Sequence, residues 1–178
     1  MKLIETELKG VFIIENSEFY DERGGFIKIF NEELFGKYGI NFHMKEIYYS
    51  ISHKNVIRGM HFQLPPHDCA KLVYVTSGKI IDVVLDLRKE QSTYGKHISL
   101  ELNANKNAIY IPEGLAHGFK SLEKNSTVVY NQSSCYSKEH DSGILWNSFG
   151  FEWNVGEPII SKRDLSFMMF NNFKSEFK

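Results

Sequence analysis

The chain has 178 residues, with 21 Lys+Arg against 22 Asp+Glu for a net charge of −1. That length suits a single domain, residues 1–178, which buries roughly two-thirds of its unfolded surface. The balanced charge lacks the basic character that nucleic-acid or anionic-membrane binding requires, so neither partner is expected. The opening MKLIETELKG has no apolar signal core, and no run approaches the roughly 18 apolar residues of a membrane span, which predicts a soluble, cytoplasmic protein.

Short apolar or alternating runs follow one another along the chain. They are VFIIE at 11–15, FIKIF at 26–30, EIYYSIS at 46–52, VIRGMHF at 56–62, KLVYV at 71–75 and KIIDVVLDL at 79–87, then HISLEL at 97–102, AIYI at 108–111, STVVY at 126–130 and ILWN at 144–147. Strands rich in Val, Ile and Tyr at this spacing predict an all-β antiparallel sandwich or barrel. The segment NEELFGKYG at 31–39 is the one clear helix, opened by Asn31 as N-cap and closed near Gly39. Thr76-Ser77-Gly78 predicts a tight hairpin between its flanking strands. In VIRGMHF, a regular strand would send Arg58 and His61 to opposite faces; a bulge at Gly59 would bring them together. The Phe- and Met-rich C-terminus, RDLSFMMFNNFKSEFK, is expected to cover core or subunit surface. Cys69 and Cys135 lack CxxC spacing and are expected to be packed thiols without a disulfide, as in a reducing compartment.

Four clusters place ionisable groups beside glycine or proline at strand ends: DERGGF at 21–26, RGMHFQ at 58–63 with Lys71 beyond, IPEGLAHGF at 111–119, and SKRD at 161–164. Around a barrel mouth such groups converge on one cavity. His61, His67 and His117 are the candidate metal ligands, but the HxH pair followed by Glu that suits a cupin metal site is missing, so no metal is expected. No nucleophile elbow is present, which argues against Ser or Cys charge relay.

Taken in order and spacing, DERGGF, NVIRGMHFQ, Lys71, KLVYVTSGKIIDVVLDLRK, STYG, IPEGLAHGF, VVY, ILWN and SKRD closely resemble the dTDP-4-dehydrorhamnose 3,5-epimerase family, from about residue 8 to residue 165. The resemblance implies a cupin-type jelly-roll β-barrel with short peripheral helices. It also implies a homodimer, no metal or other cofactor, and a nucleotide-diphosphate sugar as substrate. A 4-keto hexose has acidified protons on C3 and C5, and epimerisation removes a proton from one face and returns one from the other. By this resemblance His61 is the base, Asp164 orients it, Lys71 stabilises the enolate and Tyr130 is the acid on the opposite face. Arg23 and Arg58 match pyrophosphate-binding arginines. Gln63, His117, Asp141 and Arg163 fall on further ligand-contact positions, although the family often has Glu and Lys at the last two. Read without the family, His117 is equally a hydrogen-bonded core histidine, while an ordinary strand tyrosine is the lesser reading of Tyr130.

The nucleotide-base pocket departs from the family. Lys28 replaces the Glu of DxRGxFxE, and Glu46 and Tyr48 replace the residues of Gln-x-Asn. An acceptor-only carboxylate with a cation suits cytosine, which predicts CDP beside the family's dTDP; simple Lys28–Glu46 pairing is the alternative. The function expected is therefore epimerisation at C3, or at C3 and C5, of a nucleotide-linked 4-keto-6-deoxyhexose for a surface-polysaccharide sugar. A 3,4-ketoisomerase and a non-catalytic sugar-binding cupin are the rival functions.

Overall fold

The computed structural model describes residues 1–178. In chain order the strands are β1 (Lys2–Glu5), β2 (Phe12–Glu15), β3 (Ser17–Asp21), β4 (Gly24–Lys28), β5 (Glu46–Ser52), β6 (Ile57–Gln63) and β7 (Lys71–Ser77). They continue as β8 (Lys79–Asp86), β9 (His97–Asn103), β10 (Asn107–Ile111), β11 (Leu115–Ser121), β12 (Ser126–Gln132) and β13 (Asp141–Gly143). Helix α1 spans Glu32–Lys37 and α2 spans Lys162–Leu165, with a 3₁₀ turn at Phe170–Asn172.

The strands form two facing antiparallel sheets, ordered β1-β2-β10-β7-β12-β5 and β13-β6-β11-β8-β9, with β3–β4 as a separate hairpin. This is the antiparallel barrel that the alternating pattern predicts, in the jelly-roll form that the resemblance implies. Val73, Val75 and Val128 from one sheet meet Ile80, Val84 and Phe119 from the other in the barrel core. The opposite faces are also covered. Phe35 of α1, with Ile40 and Phe42, packs against Ile14, Leu72 and Tyr110 outside the first sheet. Outside the second sheet, Phe149, Trp153 and Phe177 cover Met60, Phe62 and Val83, so the C-terminal segment does serve as core cover. Helix α1 starts where expected, with the Asn31 side chain accepting from Leu34 N at 2.8 Å.

Several elements differ from the sequence pattern. The turn at Thr76-Ser77-Gly78 joins β7 to β8, yet these strands belong to different sheets, so it is a crossover and not a hairpin. Gly78 (φ +78°) is required there because a Cβ would lie 2.9 Å from Ser126 Cα. ILWN does not form a ladder strand; Ile144 makes one isolated bridge to Met168, and the preceding Asp141–Gly143 pairs with β6. Cys69 is buried, whereas Cys135 is exposed and not a packed thiol; both are free. No helix is long and apolar enough to cross a membrane.

The bulge in β6 is present. Arg58 pairs with Phe119 and His61 with His117, so three steps along β6 match two along β11. One extra residue turns Arg58 and His61 to the same barrel-facing side, while Ile57, Met60 and Phe62 face the outer cluster. Gly59 has φ +142°, and a Cβ there would sit 2.5 Å from Gly118 Cα, so only glycine permits the strands to approach this closely.

Candidate active site

A cavity of about 440 Å³ opens between the sheets, lined by side chains from β5, β6, β7, β11 and β12 and by the 133–141 and 161–164 segments. His61, Lys71, Tyr130, Arg58, Gln63, His117, Glu46, Tyr48, Asp141 and Arg163 all line it. Asp164 lies behind His61, with Oδ1 3.0 Å from Nε2 of the imidazole and Oδ2 accepting from Gly59 N at 3.1 Å. The carboxylate is held by its own helix, since the Ser161 hydroxyl caps Asp164 N at 3.0 Å. With Nε2–H donated to Asp164, the lone pair of a neutral His61 is on Nδ1.

The charges are set by burial and by these partners. Burial pushes the His61 pKa below its ordinary value, with the hydrogen bond and charge of Asp164 opposing it and the Lys71 charge adding to it. His61 is therefore a neutral base at neutral pH. Burial alone would raise the Asp164 carboxyl, but the His61 hydrogen bond, Gly59 N–H and Ser161 hold it below the usual carboxylate range. Burial raises the Tyr130 phenol far above an ordinary tyrosine, so it keeps its proton throughout the neutral range.

Lys71 is 6 % exposed, donates to the His61 carbonyl at 3.2 Å, and makes no salt bridge with any carboxylate. Burial lowers its pKa. An ammonium kept from water, with Asp82 and Asp141 near but no carboxylate in salt-bridge contact, favours negative charge developing nearby.

The other predicted positions divide. Arg58 Nε donates to Ser52 Oγ at 3.1 Å and its guanidinium reaches the exposed rim. Arg163 pairs with Asp141 and lies 4.9 Å over the Phe167 ring. Gln63 faces the cavity, but its amide is occupied: Nε2 donates to the His67 carbonyl at 2.7 Å and Oε1 accepts from Ser137 N at 2.6 Å, pinning the 133–140 loop. Glu46 likewise accepts from Tyr136 N. Arg23 and Lys28 do not reach this cavity. They sit on the β3–β4 hairpin, where Arg23 pairs with Asp21 and its side chain is 84 % exposed, and Lys28 is opposite Ser17. Neither the Lys28–Glu46 ion pair nor a joint Lys28–Glu46 base pocket exists within the chain.

The three histidines considered as metal ligands are not gathered. His61 is bound to Asp164, His117 to Asp82, and the His67 ring packs 4.4 Å from that of His140. The His117–Asp82 pair, Nε2 to Oδ2 at 2.7 Å and fully buried, was missed from sequence. Its signal was present: in KIIDVVLDL, Asp82 shares the inward face with Ile80 and Val84, where a lone carboxylate requires a partner. Ser50, whose Oγ is 3.3 Å from the Tyr130 hydroxyl, carried no comparable signal.

A dyad that fixes a neutral imidazole, facing a protonated phenol and an unpaired ammonium across one cavity, can remove and return protons on carbon. The family described as dTDP-4-dehydrorhamnose 3,5-epimerase matches residues 5–172. The dTDP-4-dehydrorhamnose 3,5-epimerase of Shigella flexneri is 40% identical over 174 residues, covering 96% of each chain. The crystal structure of the Elizabethkingia anophelis enzyme of that name superposes with a TM-score of 0.91 at 37% identity, covering 96% of this chain and 97% of that one. A Legionella pneumophila dTDP-6-deoxy-D-glucose-3,5-epimerase, solved in complex with dTDP-4-keto-L-rhamnose, superposes with a TM-score of 0.91 at 30% identity, covering 97% and 94%. With sequence, fold and cavity in agreement over nearly the whole length, the chain belongs to the dTDP-4-dehydrorhamnose 3,5-epimerase family.

Proposed function

We propose that the protein inverts C3 and C5 of a dTDP-linked 4-keto-6-deoxyhexose in the biosynthesis of a nucleotide sugar for surface polysaccharide. The observation that carries this reading is the His61–Asp164 dyad opening on the same cavity as Tyr130 and Lys71. His61 Nδ1 takes the proton from the carbon beside the ketone; the C–H electron pair moves into the enolate, whose O4 charge faces the Lys71 ammonium. Tyr130 O–H gives a proton to the other face of that carbon, the enolate pair forms the new C–H bond, and the ketone returns. The imidazolium and phenolate then exchange protons with water. No oxidation occurs, and the step needs no cofactor. Arg58 at the rim supplies a planar cation for the diphosphate.

Incubation in deuterated water tests this directly. Deuterium entry with inversion at C3 and C5 is the expected result; a migrated carbonyl would mean a ketoisomerase, and no label a sugar binder. Tyr130→Phe is expected to lose inversion about a hundredfold while deuterium exchange falls no more than about tenfold, because the base remains. If exchange disappears as completely as inversion in a folded variant, Tyr130 is not the opposite-face acid.

The assembly proposed is a homodimer. Phe19, Tyr20 and Phe26 on the β3–β4 hairpin are more than 60% exposed, and the sheet-edge strand β5 presents Ile47, Tyr49 and Ile51 at 56–66% exposure. Apolar patches and open edges of this kind are covered in stable proteins. A second copy would cover them, and a hairpin donated across that interface is the route by which Arg23 and Lys28 could meet a nucleotide. Sedimentation is expected to show a particle of twice the 20.7 kDa chain mass; a monomer at micromolar concentration overturns the dimer.

A further inference from the structure

We infer that Tyr48 is a positioning residue for the proton donor Tyr130, holding its ring by stacking. This inference rests on the epimerase reading above. It replaces the ligand-contact role expected for this position, where the family usually carries Asn.

Strands β5 and β12 run antiparallel, and Tyr48 and Tyr130 are direct partners in the register, so their side chains leave the same face of the sheet. The two rings stack with centroids 4.8 Å apart and planes 21° from parallel. Tyr48 is anchored in turn, since its hydroxyl accepts from Gln132 Nε2 at 2.7 Å, two residues beyond Tyr130 on the same strand. Tyr130 is thereby held on three sides. Tyr48 covers a ring face, the His117 ring stands edge-on at 6.0 Å, and Ser50 Oγ is 3.3 Å from the phenol oxygen. Of these groups, Tyr48 is the one with a flat face against the Tyr130 ring. An asparagine would leave that face bordering the cavity, with room for the ring to swing about its side-chain torsions.

Proton delivery is sensitive to such freedom, because displacing a reacting group by about 1 Å can cost on the order of a hundredfold. A misplaced donor does not stop the first half-reaction. His61 still breaks the C–H bond and leaves the electron pair in the enolate. The imidazolium can exchange its proton with water and return a deuteron to the original face, re-forming the C–H bond with retention. The ratio of inversion to deuterium exchange therefore reports the placement of Tyr130, whereas a general loss of folding or substrate binding lowers both together.

The experiment measures that ratio in deuterated water, with a dTDP-linked 4-keto-6-deoxyhexose, for the wild type, Tyr48→Phe and Tyr48→Asn. Tyr48→Asn is expected to lower the ratio about tenfold with exchange reduced less than about threefold, and Tyr48→Phe, which keeps the stack, to stay within about threefold of the wild-type ratio. If circular dichroism shows that the asparagine variant does not fold, Tyr48→Leu takes its place with the same expectation. An unchanged ratio in the non-aromatic variant overturns the inference. So does an equal fall in Tyr48→Phe, or a parallel loss of exchange and inversion in a folded non-aromatic variant. A wild-type protein that neither exchanges nor inverts overturns the epimerase reading itself, before Tyr48 is tested.

Discussion

Replacing His61 by alanine is expected to lower deuterium exchange at the carbons beside the ketone about a thousandfold, while nucleotide binding survives. The base acts in the chemical step, and the diphosphate is assigned to Arg58, whose guanidinium is anchored separately by Ser52 and the Ile51 carbonyl. The imidazole is also a minor part of the core: it borders the cavity, and its strand is held by ladders to β11 and β13 that alanine leaves in place. Binding of dTDP by calorimetry, together with exchange by NMR, checks both halves. Near-normal exchange in a folded His61→Ala protein would exclude this residue as the base.

The second large effect is expected from Asp164→Asn. The asparagine fills the same space behind His61 but presents no fixed acceptor charge, so the Nε2–H tautomer loses its partner and the Nδ1 lone pair is no longer guaranteed. A loss of about a thousandfold in kcat is expected, by analogy with other orienting carboxylates. The pH dependence separates this from simple damage. Burial already depresses the His61 pKa and Asp164 opposes that depression, so removing the carboxylate must lower it further. Activity requires the neutral imidazole and is lost as pH falls through its pKa. The acid limb of kcat/KM is therefore expected to move to lower pH in Asp164→Asn, although the maximum is far lower. A limb that stays in place or moves to higher pH would show that Asp164 does not set the charge of His61.

Much of this site was legible in the chain because it depends on local rules. Alternation in KLVYV and KIIDVVLDL determines which side chains enter the barrel, and Asn31 caps its helix through an i to i+3 bond that needs no distant partner. The glycine in VIRGMHF marked the one place where a strand could turn both Arg58 and His61 inward. His61, Lys71, Tyr130 and Asp164 could be named from motifs separated by as many as 103 residues, because each motif is itself local.

What remained hidden involves the pairing of distant segments. Local pattern made Thr76-Ser77-Gly78 a hairpin, since a glycine turn between two strands reads the same whether they pair with each other or enter opposite sheets. Motif position puts Lys28 and Glu46 in one base pocket, yet within the chain the β3–β4 hairpin carries Lys28 away from the cavity that Glu46 lines. Gln63 lines the cavity, but only the folded chain shows its amide bonded to the His67 carbonyl and to Ser137 N. Asp82 meets His117 across 35 positions, and Tyr48 meets Tyr130 across 82, through registers that no single strand encodes. The sequence by itself determined most of the strands, their inward faces and the chemical groups offered to the cavity, because periodicity and capping act within a few residues. Tertiary structure alone decided which groups touch, because sheet order and register are set by burying all the apolar faces together.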